Sequence, residues 1–127
     1  MAKGILLVAF DYTNAHTDEF HDWYDLEHIP ERERVPGFGA CARWISVANP
    51  KHAVASYELD SLSVLESAPY KAIAHENLSV WSKRMGKIAT RLLRGDFPIP
   101  TIPSSQIFTI YGLRELRCWL TIRLARK

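Results

Sequence analysis

Cysteine is scarce in this sequence, which contains only Cys41 and Cys118. The two residues are far apart along the chain, and neither belongs to a CxxC pair. A reduced protein of the cytoplasm is the simplest interpretation, and a disulfide between the two cysteines is the alternative.

Long apolar runs and a strong net charge are also missing. No stretch approaches the ~20 apolar residues of a membrane-spanning helix, and the formal charge is only +2. The N-terminal run MAKGILLVAFDY meets Asp11 without a small-residue cleavage site, so it predicts a first strand rather than a signal peptide. We therefore expect neither a membrane nor a nucleic acid among the partners.

Several catalytic signatures are absent as well. The sequence has no GxSxG elbow, no GxGxxG loop, no P-loop and no EF-hand loop, so Ser-His-Asp catalysis is not indicated and we expect no cofactor. What is present is enough apolar material for one domain, because 47% of the 127 residues are hydrophobic and 24% are charged.

Four segments are rich in strand-forming residues and are interrupted by two helical patterns. The predicted strands are Gly4–Phe10, Phe38–Ala48, Ala53–Leu59 and Ile88–Phe97. The order strand, helix, strand, strand, helix, strand predicts an α+β protein with a ferredoxin-like antiparallel sheet and its helices on one face.

The ends of these elements carry recognisable signals. Thr17 is the predicted N-cap of the first helix, which should end near His28 because Pro30 disfavours helical angles in the residue before it. Asp60 or Ser61 can cap the second helix. Along the second strand, alternation predicts one face shared by Phe38, Ala40, Ala42 and Trp44.

The composition changes after Phe97. We predict a barrel domain over residues 1–97, followed by a Pro-rich connector and C-terminal extension over residues 98–127. In the extension, Ile107–Tyr111 predicts a strand, and Leu113–Leu124 predicts a short helix or a strand. Its apolar side chains should pack on the same subunit or on a partner, because exposing them to water would be costly.

The segment DEFHDWYDLEHIPERERVPGF resembles the EthD-like branch of the dimeric α+β barrel proteins. In that branch the first helix ends in W-Y-x-x-E-H-x-P, and V-P-G-F opens the second strand. The matching residues here are Trp23, Tyr24, Glu27, His28 and Pro30, followed by Val35, Pro36, Gly37 and Phe38. Shorter matches continue along the chain, so the resemblance covers about residues 4 to 95.

The resemblance implies a homodimer of two ferredoxin-like subunits packed sheet to sheet. Each subunit would keep a pocket for a small-molecule ligand between its sheet and its helices. Proteins of this superfamily include cyclases, isomerases, cofactor-free monooxygenases, haem-dependent enzymes and proteins of unknown activity. The fold therefore implies a pocket without naming a reaction.

His28 is the first candidate for catalysis, because a neutral imidazole at the end of a helix can act as a general base. In relatives with the matching motif this histidine points at the pocket; the alternative is a helix C-terminal cap. Asp25 either orients His28 or lies on a solvated flank of the helix. For His21, the solvated flank is the favoured interpretation. These three residues lack a further ligand and a recognised zinc spacing, so no metal is expected.

Glu27 is the third catalytic candidate, as a support for His28. A buried glutamate needs a partner such as Arg43, so we predict that Arg43 lies near the Glu27–His28 end of the helix, with an exposed strand arginine as the alternative. Tyr24, Tyr57 and Arg43 are the candidate substrate-binding residues, because a hydroxyl in a pocket can hold a substrate oxygen. Core packing is the favoured role for Tyr24, and packing at a subunit interface is the alternative role for Tyr57.

The sequence leaves open whether the chain is an enzyme. One hypothesis is a cofactor-independent enzyme that acts on a small apolar or aromatic, polyketide-like substrate by His-assisted proton transfer, as in a cyclase, isomerase or monooxygenase. The alternatives are a non-catalytic small-molecule binding protein and a dimerising scaffold.

Overall fold

A five-stranded antiparallel sheet forms the centre of the computed structural model, which describes residues 3–99 and 116–118. Its strands are β1 (Gly4–Asp11), β2 (Phe38–Ser46), β3 (His52–Leu59), β4 (Thr90–Pro98) and β5 (Leu116–Cys118). Across the sheet they follow the order β4-β1-β3-β2-β5. The first four strands and the helices between them have the ferredoxin-like arrangement, which confirms the predicted fold class.

The central strand β1 supplies apolar side chains to both faces of the sheet. Leu6, Val8 and Phe10 belong to the larger core cluster, which also contains the helical side chains. Leu7 and Ala9 belong to a smaller cluster on the opposite face. An uninterrupted apolar run is what a strand buried on both faces requires.

A β-bulge in β2 changes which side chains share a face. Phe38 lies opposite Leu59 and Cys41 lies opposite Tyr57, so β2 has one residue more than β3 in this interval. Phe38 therefore packs with Cys41 in the larger cluster, whereas Trp44 packs in the smaller one. The prediction that Phe38 and Trp44 share a face is wrong, because simple alternation does not reveal an inserted residue.

The sequence predicted that the first helical segment ends before Pro30, but in the structure the segment continues through this proline. It consists of α1 (Thr17–Asp22), a π-helical turn (Trp23–His28) and α2 (Ile29–Glu33). The backbone N–H of Ile29 bonds to the carbonyl of Tyr24, five residues earlier, as in a π turn. The wider turn moves away the carbonyl that the proline ring would otherwise hit, so the chain stays helical.

The second helical region is divided into short pieces. They are two 3-10 turns (Leu62–Glu66 and His75–Asn77), α3 (Ala68–Lys71) and α4 (Val80–Ile88). Ser61 stands at the predicted cap position, and the side chains of Ser67 and Ser79 accept backbone N–H bonds at the starts of α3 and α4. The cap of α1 lies one residue from its predicted place, since His16 is the N-cap and Thr17 is already helical.

Most of the predicted C-terminal extension lies outside the described residues, including the strand predicted at Ile107–Tyr111. Within the segment predicted as a short helix or a strand, residues 116–118 form β5 and pair with β2. The division into residues 1–97 and 98–127 stays a prediction. In the described part of the chain, no helix is long and apolar enough to cross a membrane.

Candidate functional site

A cavity of about 370 Å³ lies between the sheet and the helices. Its apolar and aromatic wall includes Leu6, Val8, Phe10, Trp23, Tyr57 and Tyr70. Its polar groups are His28, Arg32, His75, Ser82, Arg91 and Arg94. The volume is typical of small-molecule sites, which span roughly 300–1,000 Å³.

The π turn places His28 on the wall of this cavity. The ring centroids of His28 and Trp23 are 4.5 Å apart, and Tyr24 meets the imidazole edge-on at 5.3 Å. The Nδ1 atom of His28 is buried and has no hydrogen-bond partner. A C-terminal cap is not its role, because the helix continues through α2 beyond it.

The surroundings of His28 keep the imidazole neutral. Burial lowers the pKa of His28 well below its ordinary value of 6.5, and the positive charges of Arg32 and Arg43 lower it further. The ring keeps partial access to the cavity, yet the surrounding protein withdraws it from bulk water. At pH 7 it therefore has a nitrogen lone pair that can accept a proton.

Two further polar groups of the cavity wall are poorly satisfied by the described residues. Arg32 is only 5% exposed, and its Nη1 atom makes no hydrogen bond with any residue in the described ranges. The buried hydroxyl of Tyr57 has at most a weak interaction with the hydroxyl of Tyr24, which lies near enough for the two to affect each other's pKa. Buried polar groups without partners are rare in folded proteins, and a ligand is one explanation for them.

Arg43 lies beside the cavity at the centre of a buried polar cluster. Its Nη1 donates to Asp25 Oδ1 at 3.0 Å, and its Nη2 donates to His21 Nδ1 at 2.8 Å. The guanidinium carbon lies 4.4 Å from the ring centroid of Tyr24. With Nδ1 accepting, Nε2 of a neutral His21 donates to the Tyr12 hydroxyl at 3.3 Å; this tautomer is assigned from the partners.

Arg43 lies close enough to His28 for its charge to lower the pKa of His28, but it does not pair with Glu27. Arg43 forms its salt bridge with Asp25, two residues earlier on the helix. Glu27 instead accepts a hydrogen bond from the Ser79 hydroxyl at 2.8 Å, which ties the π turn to the start of α4. Glu27 therefore has a positioning contact between helices and no place among the residues that line the cavity.

The cluster also changes the interpretation of His21 and Asp25. His21 is buried rather than solvated, because its ring meets Arg43 and Tyr12. Asp25 does not orient the Nδ1 atom of His28, since that atom has no partner. Over residues 3–99 and 116–118, no group of three or more His, Cys, Asp or Glu side chains is arranged to hold a metal ion.

Of the six predicted site residues, His28 and Tyr57 line the cavity. The other four lie in the helix or in β2 and bind to protein partners or pack in the core. Tyr24 is fully buried, which raises the pKa of its hydroxyl to about 12 despite the nearby Arg43 and Arg32. Its phenol is therefore a neutral packing group at pH 7.

Sequence reasoning missed the arginines of the site. Arg32 follows His28 by four residues, so its position on the same helix flank was a usable signal. Arg91 and Arg94 lie on β4, where the register shifts relative to β1, and no sequence pattern distinguishes them from ordinary surface residues. The cationic character of the cavity is therefore visible only in the structure.

Cys41 is a free thiol in the structure. Burial raises its pKa to about 11, with Glu33 and Glu58 adding to the effect. The thiol is protonated at pH 7, so it is a poor nucleophile. The disulfide that the sequence left open is not formed at Cys41.

Comparison with known proteins identifies the fold but no family. No family model matches the sequence, and a search of curated proteins finds no match. SnoaB, a cofactor-independent oxygenase from Streptomyces nogalater, superposes with a TM-score of 0.64 at 13% identity over 82% of this chain and 99% of its own. A protein assigned as an antibiotic biosynthesis monooxygenase from Bordetella bronchiseptica gives 0.56 at 12% identity, over 76% of this chain and 96% of its own.

An EthD family protein from Bacillus halodurans gives a TM-score of 0.48 at 19% identity, over 72% of this chain and 96% of its own. The fold argument rests on the two structures with higher TM-scores, which cover most of the described residues. The chain thus has the ferredoxin-like α+β fold of these proteins, with a cavity between its helices and its sheet.

Proposed function

We propose that this protein is a cofactor-independent enzyme that abstracts a proton from a small aromatic or polyketide-like molecule, with His28 as the base. One observation carries the proposal: His28 is a neutral, half-buried imidazole that lines a largely aromatic cavity, and its Nδ1 atom has no partner among the described residues. The likeness to a cofactor-independent oxygenase supports it at the level of the fold.

The cavity can stabilise the products of such a proton transfer. When His28 takes a proton from an acidic C–H beside a carbonyl, the imidazole becomes a cation and the substrate becomes an enolate. Arg32 disfavours a cation on His28 in the empty cavity, but an enolate between the two is attracted to both. The Tyr57 hydroxyl, which forms no hydrogen bond of good geometry with the described residues, is a further donor for the enolate oxygen.

Cyclisation, isomerisation and oxygenation of an activated ring can each begin with the same enolate, so proton abstraction tests them together. We expect the protein to exchange the acidic C–H hydrogens beside the carbonyl of benzo-fused cyclic ketones, with 2-tetralone as the first probe, for deuterium in D₂O. Proton NMR measures the exchange, and the same protein unfolded by heat provides the blank. Exchange no faster than this blank across a panel of ketones that bind would overturn the proposal in favour of a non-catalytic binding protein.

We also propose that the chain forms a homodimer through the sheet face opposite the helices. This face carries an apolar cluster of Leu7, Ala9 and Val54, with Trp44 and Phe97 packed against it. Light scattering should give twice the chain mass of 14.5 kDa. A monomer at micromolar concentration would contradict the assembly while leaving the cavity proposal unaffected.

A cytoplasmic location stays a prediction, supported by the free thiol of Cys41. The absence of a nucleic-acid partner also stays a prediction. Neither affects the chemistry proposed for the cavity, which depends on His28 and the groups around it.

A further inference from the structure

The cavity has a surplus of positive charge. Its lining includes Arg32, Arg91 and Arg94, and none of the described residues that form it is an aspartate or a glutamate. Arg94 donates to the Tyr70 hydroxyl at 3.1 Å, so this arginine is held at the wall by a neutral group. A neutral aromatic ligand would leave this charge without a counterpart.

Arg32 is the most deeply buried of the three arginines. It is 5% exposed, whereas Arg91 and Arg94 are exposed. In the described part of the chain, no carboxylate forms a salt bridge with Arg32. Glu31 is near enough for the charge of Arg32 to affect the pKa of the Glu31 carboxyl. Glu31 compensates the charge of Arg32 only in part.

Such a guanidinium is costly unless a ligand compensates it. Removing a charge from water without a well-placed counterion disfavours the folded state. Arg32 has a planar fork of N–H donors that matches a carboxylate, and its Nη1 is without a bond. The observations point to an anionic partner that residues 3–99 and 116–118 do not supply.

We propose that the cavity selects an aromatic carboxylate, whose acid group binds to Arg32 while its rings pack against Phe10 and Trp23. Arg91 and Arg94, at the exposed end of the wall, attract the anion before it enters. This inference names a substrate class for the proposed function. It shares the cavity with that function but does not depend on proton transfer.

The first test compares an acid with its neutral amide. We expect 1-hydroxy-2-naphthoate to bind to the protein about 10- to 100-fold more tightly than 1-hydroxy-2-naphthamide, the range of a charged hydrogen-bonded contact. Titration calorimetry measures both dissociation constants. Equal affinity for acid and amide would overturn the proposal.

The second test assigns the preference to Arg32. Arg32→Met should reduce the preference for the acid to within about twofold while leaving amide binding largely unchanged, since only the charged contact is lost. Arg84→Met is the matched control, because Arg84 is exposed and outside the cavity, and this variant should keep the full preference. An Arg32→Met variant that keeps the preference for the acid would overturn the assignment. If Arg91→Met and Arg94→Met lose this preference instead, the anion binds at the exposed end of the cavity.

Arg32→Lys keeps the result decisive if the methionine variant does not fold. Lysine retains the charge but lacks the planar fork of N–H donors, so the preference for the acid should fall by about threefold to tenfold. An unchanged preference would contradict the binding of a carboxylate to the guanidinium of Arg32.

His28→Gln separates this inference from the proposed function. The acid preference should survive in His28→Gln, because Arg32 remains. If the original protein shows no deuterium exchange while the acid preference is present, the enzyme proposal fails and Arg32 remains the anion site.

Discussion

Replacing Arg43 with methionine should lower the free energy of unfolding by about 3 kcal/mol, near the lower end of the range for breaking a buried ion pair. Arg43 is 6% exposed and donates to both Asp25 and His21. Methionine keeps much of the side-chain length but removes both bonds and the charge. The Asp25 side chain is 19% exposed, so water compensates part of the loss.

Arg84→Met is the control, because Arg84 forms an ion pair with the same N···O distance at a more exposed position. Arg84 approaches Glu19 to 3.0 Å, the same separation as Arg43 and Asp25, but these side chains are 55% and 37% exposed. Solvent screening should limit its effect to about 1 kcal/mol or less. Urea denaturation followed by circular dichroism measures both variants, and similar losses for the two would show that burial does not strengthen the Arg43 pair.

Replacing His28 with glutamine should slow deuterium exchange by about 100- to 10,000-fold, which is the usual contribution of a general base. Glutamine keeps polarity at the position but cannot accept a proton at neutral pH. Ligand affinity should change only a few-fold, because the aromatic wall and Arg32 remain. A variant that exchanges protons as fast as the original protein would remove His28 from the mechanism.

His52→Gln is the matched control for this substitution. His52 lies at the start of β3, where its ring is near Asp11 and Asn49, and it is not among the residues that line the cavity. We therefore expect exchange and binding to match the original protein. Loss of exchange in both histidine variants would indicate a general effect on folding, which circular dichroism would reveal.

The pH dependence should follow from the depressed pKa of His28. The base must be neutral, so kcat/KM should stay constant as the pH falls through 6.5 and should drop only near the lower pKa in the folded protein. A decline centred at or above pH 6.5 would contradict this environment. The free energy of unfolding should also fall at low pH. His28 takes up its proton at a higher pH in the unfolded chain than in the folded protein, so stability decreases as the pH drops from 6.5 towards the pKa of the folded state. His28→Gln should make this decrease smaller.

The strands could be predicted from the sequence because each has a strong local signal. The run from Gly4 to Phe10 is apolar throughout, and the Asn49–His52 turn marks the hairpin. The Phe38 face could not be predicted, since a β-bulge leaves no trace in simple alternation. Local patterns thus identified the elements, while an inserted residue decided the orientation of their side chains.

The site was less predictable because its contacts cross from one element to another. The family resemblance and helix-end position indicated His28, but Pro30 led to an early helix end that the π turn overrides. The pairing of Arg43 with Asp25 was missed because the spacing of helical carboxylates does not show which of them faces β2. Burial of Arg32 depends on packing of the whole domain and has no local signature.

The π turn takes up one residue more than an α turn without changing the direction in which the later helix faces. In an α-helix an extra residue would rotate all later residues by about 100°, whereas here the N–H of Ile29 reaches back five residues to Tyr24 and closes the turn. Leu26, on the outside of this turn, is 65% exposed, so its removal would cost little core packing. A single-residue deletion there should restore an α turn and leave Arg32 on the same flank relative to α1. This part of the helix can therefore change its length by one residue, whereas the same deletion within α1 would turn the cavity residues away from the sheet.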